Sequence, residues 1–191
     1  RFKCDWSSDV CSSDLENFMM LNILFLLTAL QTPPVTKKLL PKTSVRDTTK
    51  TYIVIHNDGA NLGAMTTRLV LRVRRLSYHY FIARSGKIYQ FMDVTNIAKH
   101  AGVSEWDKEY LLNTISIGIC LQGKDDMPYN DKQYESLSKI INYIHQRFPD
   151  SRDKQLLTHA EIAIPHGRKT DPGIFFDTTR LTLKKFSKEG E

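Results

Sequence analysis

Apolar runs separated by polar turns predict alternating strands and helices from residue 50 onward. The stretch 51–55 is largely apolar and 115–121 is almost continuously aliphatic, as expected for strands that are covered on both faces. A shorter apolar run at 156–158 predicts a third strand. The β-prone runs 78–83 and 87–92 are separated by three residues that include a glycine, so they predict a hairpin.

Two further segments have the pattern of helices. Residues 64–76 mix apolar and basic side chains, and Asn130 is placed to cap a second helix together with Gln133. Pro149 is expected to end that helix. Its apolar positions fall on one stripe, formed by Leu137, Ile140, Ile141, Ile144 and Phe148. The pattern therefore predicts an α/β fold with a central mixed β-sheet flanked by helices.

The 191 residues are enough for one domain with a proper core. Residues 1–16 look like the translation of a sequencing adapter, so they are excluded from the fold prediction. The remaining boundaries are predicted as a signal-like apolar segment at 17–32, a linker at 33–49, the main domain at 50–183 and a polar tail at 184–191.

The apolar stretch Phe18–Leu30 is too short to span a bilayer securely, so no stable membrane span is expected. Its length suits the core of a signal peptide, yet no lysine or arginine precedes it once residues 1–16 are removed. No clear cleavage site follows Ala29. A membrane-proximal or spurious segment is the alternative interpretation.

Removing residues 1–16 also changes the charge and the cysteine content. Two basic and four acidic side chains are lost, so the formal charge rises from +6 to +8. Cys120 is then the remaining cysteine, which gives no support to a disulfide scaffold. The excess of positive charge favours association with anionic polymers in general. No nucleic acid is expected as a partner, because no recognition motif accompanies the charge.

Two histidines and an aspartate suggest a metal site. His56 ends the first predicted strand, and His159 follows the strand at 156–158. Lys169 and Asp171 lie in the loop beyond His159. Three protein ligands leave one position of a tetrahedral zinc site open for water, which is the pattern of hydrolytic rather than structural zinc sites.

Five segments in the same order resemble one protein family. They are Ile53-Val54-Ile55-His56, Ser77-Tyr78-His79-Tyr80-Phe81-Ile82, Lys99-His100-Ala101-Gly102, Asn113-Thr114-Ile115-Ser116-Ile117-Gly118-Ile119 and, after His159, Gly167-Arg168-Lys169-Thr170-Asp171-Pro172-Gly173. From about residue 50 to 181, the chain resembles the zinc-dependent N-acetylmuramoyl-L-alanine amidases, which share a fold with peptidoglycan-recognition proteins.

The resemblance implies an enzyme that uses Zn²⁺ to hydrolyse the amide between N-acetylmuramic acid and L-alanine in peptidoglycan. It assigns His56, His159 and Asp171 as zinc ligands. It assigns Lys169 to the negative charge that develops on the amide oxygen. His166 is a competing ligand candidate, although an exposed loop histidine is the usual case.

Cys120 departs from the family pattern, because many members have a catalytic glutamate there. We expect a buried thiol at this position to stay protonated and to pack as a small apolar group. A nucleophilic cysteine paired with His79 or His100 has no support. The chain in this respect resembles small phage-type amidases, and Tyr78 matches their tyrosine. Tyr78 is expected to orient water or the substrate carbonyl; a structural strand tyrosine is the alternative.

His100 is expected to line the peptide-binding groove, with an ordinary loop histidine as the alternative, and Asn57 is the second predicted substrate contact. Lys99 replaces a tryptophan that is frequent in the family. The resemblance implies action on peptidoglycan, in wall remodelling or as an endolysin, and a monomer is the default expectation for a compact hydrolase. It would be secreted, periplasmic or in the cell wall if 18–30 is a signal, and otherwise a cytoplasmic phage endolysin released at lysis. A binding module without catalysis is the rival function.

Overall fold

The computed structural model describes residues 33–37, 50–151 and 156–184. The segments predicted at 1–16 and 17–32 lie outside these residues, as does the tail beyond residue 184. Within the part that is described, no helix is both long enough and apolar enough to cross a membrane.

A six-stranded mixed sheet forms the centre of the described chain. Its strands are β1 (Val35–Lys37), β2 (Tyr52–Asn57), β3 (Tyr80–Ile82), β4 (Ile88–Gln90), β7 (Ser116–Leu121) and β8 (Leu156–Thr158). The short strands β5 (Glu105–Trp106) and β6 (Glu109–Tyr110) form a separate ribbon. The helices are α1 (Ala64–Arg74), α2 (Asp131–Arg147) and α3 (His159–Ile162), with 3-10 turns at Pro149–Ser151 and Thr178–Arg180.

The strand order is β1-β4-β3-β7-β2-β8, and only β3 and β4 are antiparallel among these neighbours. Strands β2 and β7 occupy the middle, where both edges are paired and both faces are covered. This placement explains their almost unbroken apolar sequences. Because β7, β2 and β8 are parallel, their carboxyl ends meet at one edge of the sheet, which is where α/β folds place their sites.

The two faces of the sheet bury different side chains. Ile53 and Ile55 of β2 face α2, whose apolar stripe includes Leu137 and Ile140. On the opposite face, Val54 packs with residues that include Leu112, Ala101 and Ile162. Full burial of an aliphatic side chain such as Ile140 is worth about 1.5–3 kcal/mol. Because side chains alternate along β2, His56 points to the same face as Val54, away from α2.

The predicted fold class is confirmed, and most elements lie where the pattern placed them. The capping box between Asn130 and Gln133 is present at the start of α2. Helix α1 ends at Arg74 because Arg75 adopts a left-handed conformation. The hairpin strands are shorter than predicted, since only 80–82 and 88–90 form the ladder.

Two local predictions need correction. The prediction of a linker at 33–49 missed β1, in which residues 35–37 pair in parallel with β4. Val35, Thr36 and Lys37 form too short and too polar a segment to show a strand pattern, because this strand forms only by long-range pairing. The helix α3 was also missed. It begins directly after β8, where Thr158 and Glu161 make a second capping box.

Candidate metal centre

A cavity of about 500 Å³ opens at the edge where β7, β2 and β8 end. Six of the seven predicted site residues line it, namely Asn57, Tyr78, His100, His159, Lys169 and Asp171. The seventh, His56, is fully buried and contacts Asp171 from behind the cavity wall. The structure therefore brings together residues that are up to 115 positions apart in the chain.

Three different kinds of element deliver the candidate ligands. His56 belongs to β2 itself, so the paired strands β7 and β8 on either side hold its backbone. His159 is the first residue of α3 and directly follows β8. Asp171 lies on the loop after α3, and its backbone carbonyl accepts a hydrogen bond from Ala160 at 3.0 Å.

The side chains of these three residues converge on one point. The carboxylate of Asp171 lies 3.1 Å from Nδ1 of His56 and 3.0 Å from Nδ1 of His159. One potential ligand atom from each residue falls within 4.8 Å of the others. His56 and His159 are buried, and Asp171 is partly buried. Two imidazole nitrogens and one carboxylate are a donor set that suits a divalent transition metal.

The protonation states also suit a metal. Burial lowers the pKa of His56 to about 4, so its imidazole is neutral near neutral pH. Burial by itself would raise the pKa of Asp171. Its contacts with His159 and His56 outweigh that effect and leave the pKa below its ordinary value. A neutral imidazole beside an ionised carboxylate is the state in which both bind a metal.

The tautomer of His159 tests whether a cation fits. Its Nε2 lies 3.1 Å from the carbonyl oxygen of Ala101, and a carbonyl can only accept. Nε2 of His159 therefore carries a hydrogen. As a ligand, His159 would direct the lone pair of Nδ1 toward the carboxylate of Asp171, 3.0 Å away. A cation between the nitrogen and the carboxylate would satisfy both acceptors, so the residues fit a metal ion.

A set of contacts to Asp125 holds the loop that carries Asp171. The amide of Asn57 donates to Asp125 Oδ1 at 2.7 Å and to the carbonyl oxygen of Pro172 at 3.2 Å. The hydroxyl of Thr170 donates to Asp125 Oδ2. Asn57, which was predicted to bind substrate, lines the cavity, and both N–H groups of its side chain are engaged within the protein, where they hold the loop.

Gly173 also helps to hold the loop, because its backbone lies close to the backbone of Asp125. Its φ is +92°, and a Cβ atom there would lie 2.3 Å from the carbonyl oxygen of Asp125. A left-handed conformation and contact with another backbone both require glycine. No sequence pattern indicates Asp125 as a partner, because the loop and Asp125 meet only in the fold.

Lys169 and Tyr78 lie beside the three converging residues. Lys169 is exposed on the cavity wall. Tyr78 is partly buried, with its ring centroid 5.0 Å from that of His56. Burial, followed by the nearby Cys120, Asp171 and Asp58, raises the pKa of the Tyr78 phenol well above its ordinary value. Tyr78 therefore keeps its hydrogen and can donate it.

The side chain of Arg168 is hydrogen-bonded to a neighbouring segment of the chain. Its guanidinium donates to the carbonyl oxygens of Ile164 at 2.8 Å and Val103 at 2.7 Å, with a longer bond to Ala101. It ties the loop to the segment around Ala101, whose carbonyl also fixes His159. His166 is exposed and lies outside the cluster of candidate ligands.

His100 and His79 are two further buried histidines next to the candidate ligands. His100 contacts the cavity, as predicted, but Nδ1 lies 3.0 Å from Nε2 of His56, and Nε2 lies 3.2 Å from Oγ of Ser116. Both ring nitrogens are thus engaged. His79 accepts a hydrogen bond from the Gly118 amide and donates to the carbonyl of Asn96. Sequence reasoning missed Ser116, which looks like any small strand residue.

Cys120 neighbours His56 across the β2–β7 ladder, yet its thiol is buried with apolar side chains that include Leu71, Phe81 and Phe91. Burial raises the pKa of the thiol well above its ordinary value. Cys120 is also outside the group of candidate ligands. The structure supports the expectation that it packs as a small apolar residue.

Comparisons with known proteins agree with this geometry. The 1,6-anhydro-N-acetylmuramyl-L-alanine amidase AmpD of Citrobacter freundii is 41% identical over 107 residues, and this match covers 56% of each chain. The chain thus spans little more than half the length of the curated relatives that it matches. A solved selenomethionine AmpD derivative has a TM-score of 0.65 and 30% identity, covering 75% of this chain and 91% of that one.

A second solved structure is AmpDh3 from Pseudomonas aeruginosa in complex with anhydromuramic pentapeptide. It has a TM-score of 0.60 and 27% identity, and the match covers 72% of this chain and 60% of that chain. These likenesses confirm the predicted amidase fold, which is shared with peptidoglycan-recognition proteins. The family model Amidase_2, described as N-acetylmuramoyl-L-alanine amidase, matches residues 46–174. The chain therefore belongs to the N-acetylmuramoyl-L-alanine amidase family Amidase_2.

Proposed function

We propose that the protein is a zinc-dependent amidase that hydrolyses the bond between the lactyl group of a muramic acid and L-alanine. The observation that carries this proposal is the convergence of His56, His159 and Asp171 at a cavity large enough for a small substrate. The family membership supports the same reaction.

His56, His159 and Asp171 would hold the zinc ion, each through one atom. When bound, zinc supplies a Lewis acid that makes water nucleophilic near neutral pH and polarises a carbonyl group. Buried His56 stays neutral and keeps a lone pair available, while Asp171 contributes one negative charge. Three protein ligands leave room for the reacting groups.

Lys169 and Tyr78 are the proposed catalytic side chains. The Lys169 ammonium would stabilise the negative charge that grows on the amide oxygen as the tetrahedral intermediate forms, an interaction worth about 3–4 kcal/mol when preorganised. The Tyr78 phenol keeps its hydrogen and would donate it to an oxygen of water or substrate. It is a poor base, because its raised pKa opposes loss of that hydrogen.

Soluble anhydromuramyl peptides are the proposed substrates in preference to intact wall. The relatives at 37–41% identity are named as 1,6-anhydro-N-acetylmuramyl-L-alanine amidases, and AmpDh3 was solved with anhydromuramic pentapeptide. The endolysins among the similar structures are under 25% identical, so they support the fold alone. The lytic setting and the export expected from the sequence therefore gain no support from the more similar relatives.

The rival function is recognition of muropeptides without cleavage. Cys120 favours it, because a buried protonated thiol cannot act as the general base that the family's glutamate provides. The two functions differ in whether bound substrate is cut, so the experiment must measure binding and cleavage separately.

The test is mass spectrometry after incubation of the purified full chain with anhydromuramyl tripeptide and, separately, with intact peptidoglycan. Zinc-loaded and chelator-treated samples are compared with His159→Ala. Free peptides that begin at L-alanine, lost on chelation and restored by zinc, are the expected result. His159→Ala should abolish cleavage and leave peptide binding measurable by calorimetry. Binding without cleavage by the zinc-loaded protein would establish the rival function.

A further inference from the structure

The hydrogen-bond partners of His100 continue away from the candidate metal centre into the core of the sheet. Ser116, at the start of β7, is fully buried, and its Oγ contacts both the carbonyl oxygen of Leu112 and Nε2 of His100. A hydroxyl has one hydrogen, and a carbonyl can only accept. The Ser116 hydrogen therefore goes to Leu112.

This assignment determines the two rings above Ser116. Since the hydroxyl has given its hydrogen to Leu112, Nε2 of His100 must donate to the Ser116 oxygen. In the neutral ring, Nδ1 of His100 is then an acceptor, and it faces Nε2 of His56 at 3.0 Å. Nε2 of His56 must donate to it. The remaining nitrogen of His56, Nδ1, is left with its lone pair directed at Asp171.

We propose that Ser116 and His100 are positioning residues, which fix the Nε2–H tautomer and ring orientation of His56 so that Nδ1 faces the metal position. This proposal rests on the metal site of the proposed function. His159 receives the same constraint from the backbone carbonyl of Ala101, whereas His56 depends on two side chains. Groups that hold a ligand histidine in this way typically contribute 10–100-fold to metal affinity.

Gly118 provides the space that this arrangement needs. A Cβ atom at position 118 would lie 2.5 Å from the ring of His100. A side chain at position 118 would therefore push His100 away from His56. Burial of His100 and Ser116 at 7% and 0% exposure leaves little opportunity for water to replace either partner.

The first test is nitrogen-15 NMR of the histidine rings in the full chain, metal-free and zinc-loaded. We expect His56 to carry its hydrogen on Nε2 in both states, with a coupling across the hydrogen bond to Nδ1 of His100. A hydrogen on Nδ1 of His56, or on Nδ1 of His100, would overturn the proposal. This measurement needs no amidase activity, so it stands whether or not the amidase proposal holds.

The second test is zinc affinity measured by competition with a chromogenic chelator. Ser116→Ala and His100→Phe should each weaken zinc binding by about 10–100-fold. Ser116→Thr keeps the oxygen and should retain most of the affinity. Ser151→Ala is the matched control, because Ser151 is a buried serine that bonds a carbonyl outside the site. Unchanged zinc affinity in folded Ser116→Ala, as judged by its thermal unfolding, would refute the positioning role.

Discussion

His56 and Asp171 reach the same point from two differently built regions. His56 is part of a central strand with β7 and β8 on either side, and it is completely buried. Asp171 lies on a loop that depends on contacts from Asp125, Asn57 and the close approach of Gly173. The strand region is held by the same sheet that forms the core. The loop region is held by a few polar contacts over long sequence separations.

This difference in support indicates which ligand can be displaced without disturbing the rest of the fold. Removing support from His56 also disturbs the sheet, because β2 makes ladders with both neighbours. Removing support from the loop should displace Asp171 and Lys169 while the sheet remains intact. Substitutions in the strand region are therefore expected to change metal affinity and the free energy of unfolding together. Substitutions in the loop region are expected to change metal affinity separately from the stability of the sheet.

The largest expected effect comes from Asp171→Asn. Loss of the carboxylate should reduce amidase activity to background and abolish the stabilisation of the fold by added zinc. Calorimetric unfolding with and without zinc provides the measurement. Retained stabilisation by zinc would remove Asp171 from the ligand set.

Lys169→Met should have the next largest effect. The variant loses the ammonium and keeps the length of the side chain, so kcat should fall by about 10²–10³. Zinc affinity and unfolding should change little, since Lys169 is exposed. The matched control is Lys139→Met, which removes an exposed lysine from the surface of α2. Equal activity of the two variants would contradict a role for Lys169.

Gly173→Ala tests the loop region directly. A left-handed alanine costs about 1–2 kcal/mol, and the collision with the Asp125 backbone adds to that cost. We expect a loss of about 2 kcal/mol or more in the free energy of unfolding, together with weaker zinc binding. Gly63→Ala is the control, because a Cβ there has nothing within 4 Å. Denaturant unfolding and chelator competition measure both effects, and similar results for the two variants would refute the argument.

The smallest effect is a pH dependence at the opposite end of the central strands. Lys50 is buried and donates to the carbonyl oxygens of Asn96 and Thr114, and burial lowers its pKa from 10.5 to about 8. Between these values the unfolded chain binds more protons than the folded one. Stability should therefore rise with pH in that window and gain nothing from Lys50 below pH 8. Urea unfolding from pH 8 to 9.5 should show a slope that Lys50→Met lacks.

Sequence patterns predicted the strand region well and the loop region only through family resemblance. The aliphatic runs around Ile53 and Ile117 define their strands because burial on both faces leaves a local signature. Asp171 and Lys169 came from matching family motifs, and nothing local in the chain indicates that Asp125 supports them. Contacts between distant polar residues leave no periodic pattern. The hydrogen bonds that Asn57 and Arg168 make to the loop and its neighbours were not predicted, for the same reason.

The space left by Gly118 links two positions that are far apart in the sequence. Because His100 occupies the volume where a side chain at 118 would sit, the two positions should not accept substitutions independently. In a combinatorial library, larger residues at 118 should survive only with smaller residues at 100, and those survivors should fold without holding zinc firmly. Laboratory evolution of a protein that binds muropeptides without cutting them would therefore be expected to select paired substitutions at positions 100 and 118.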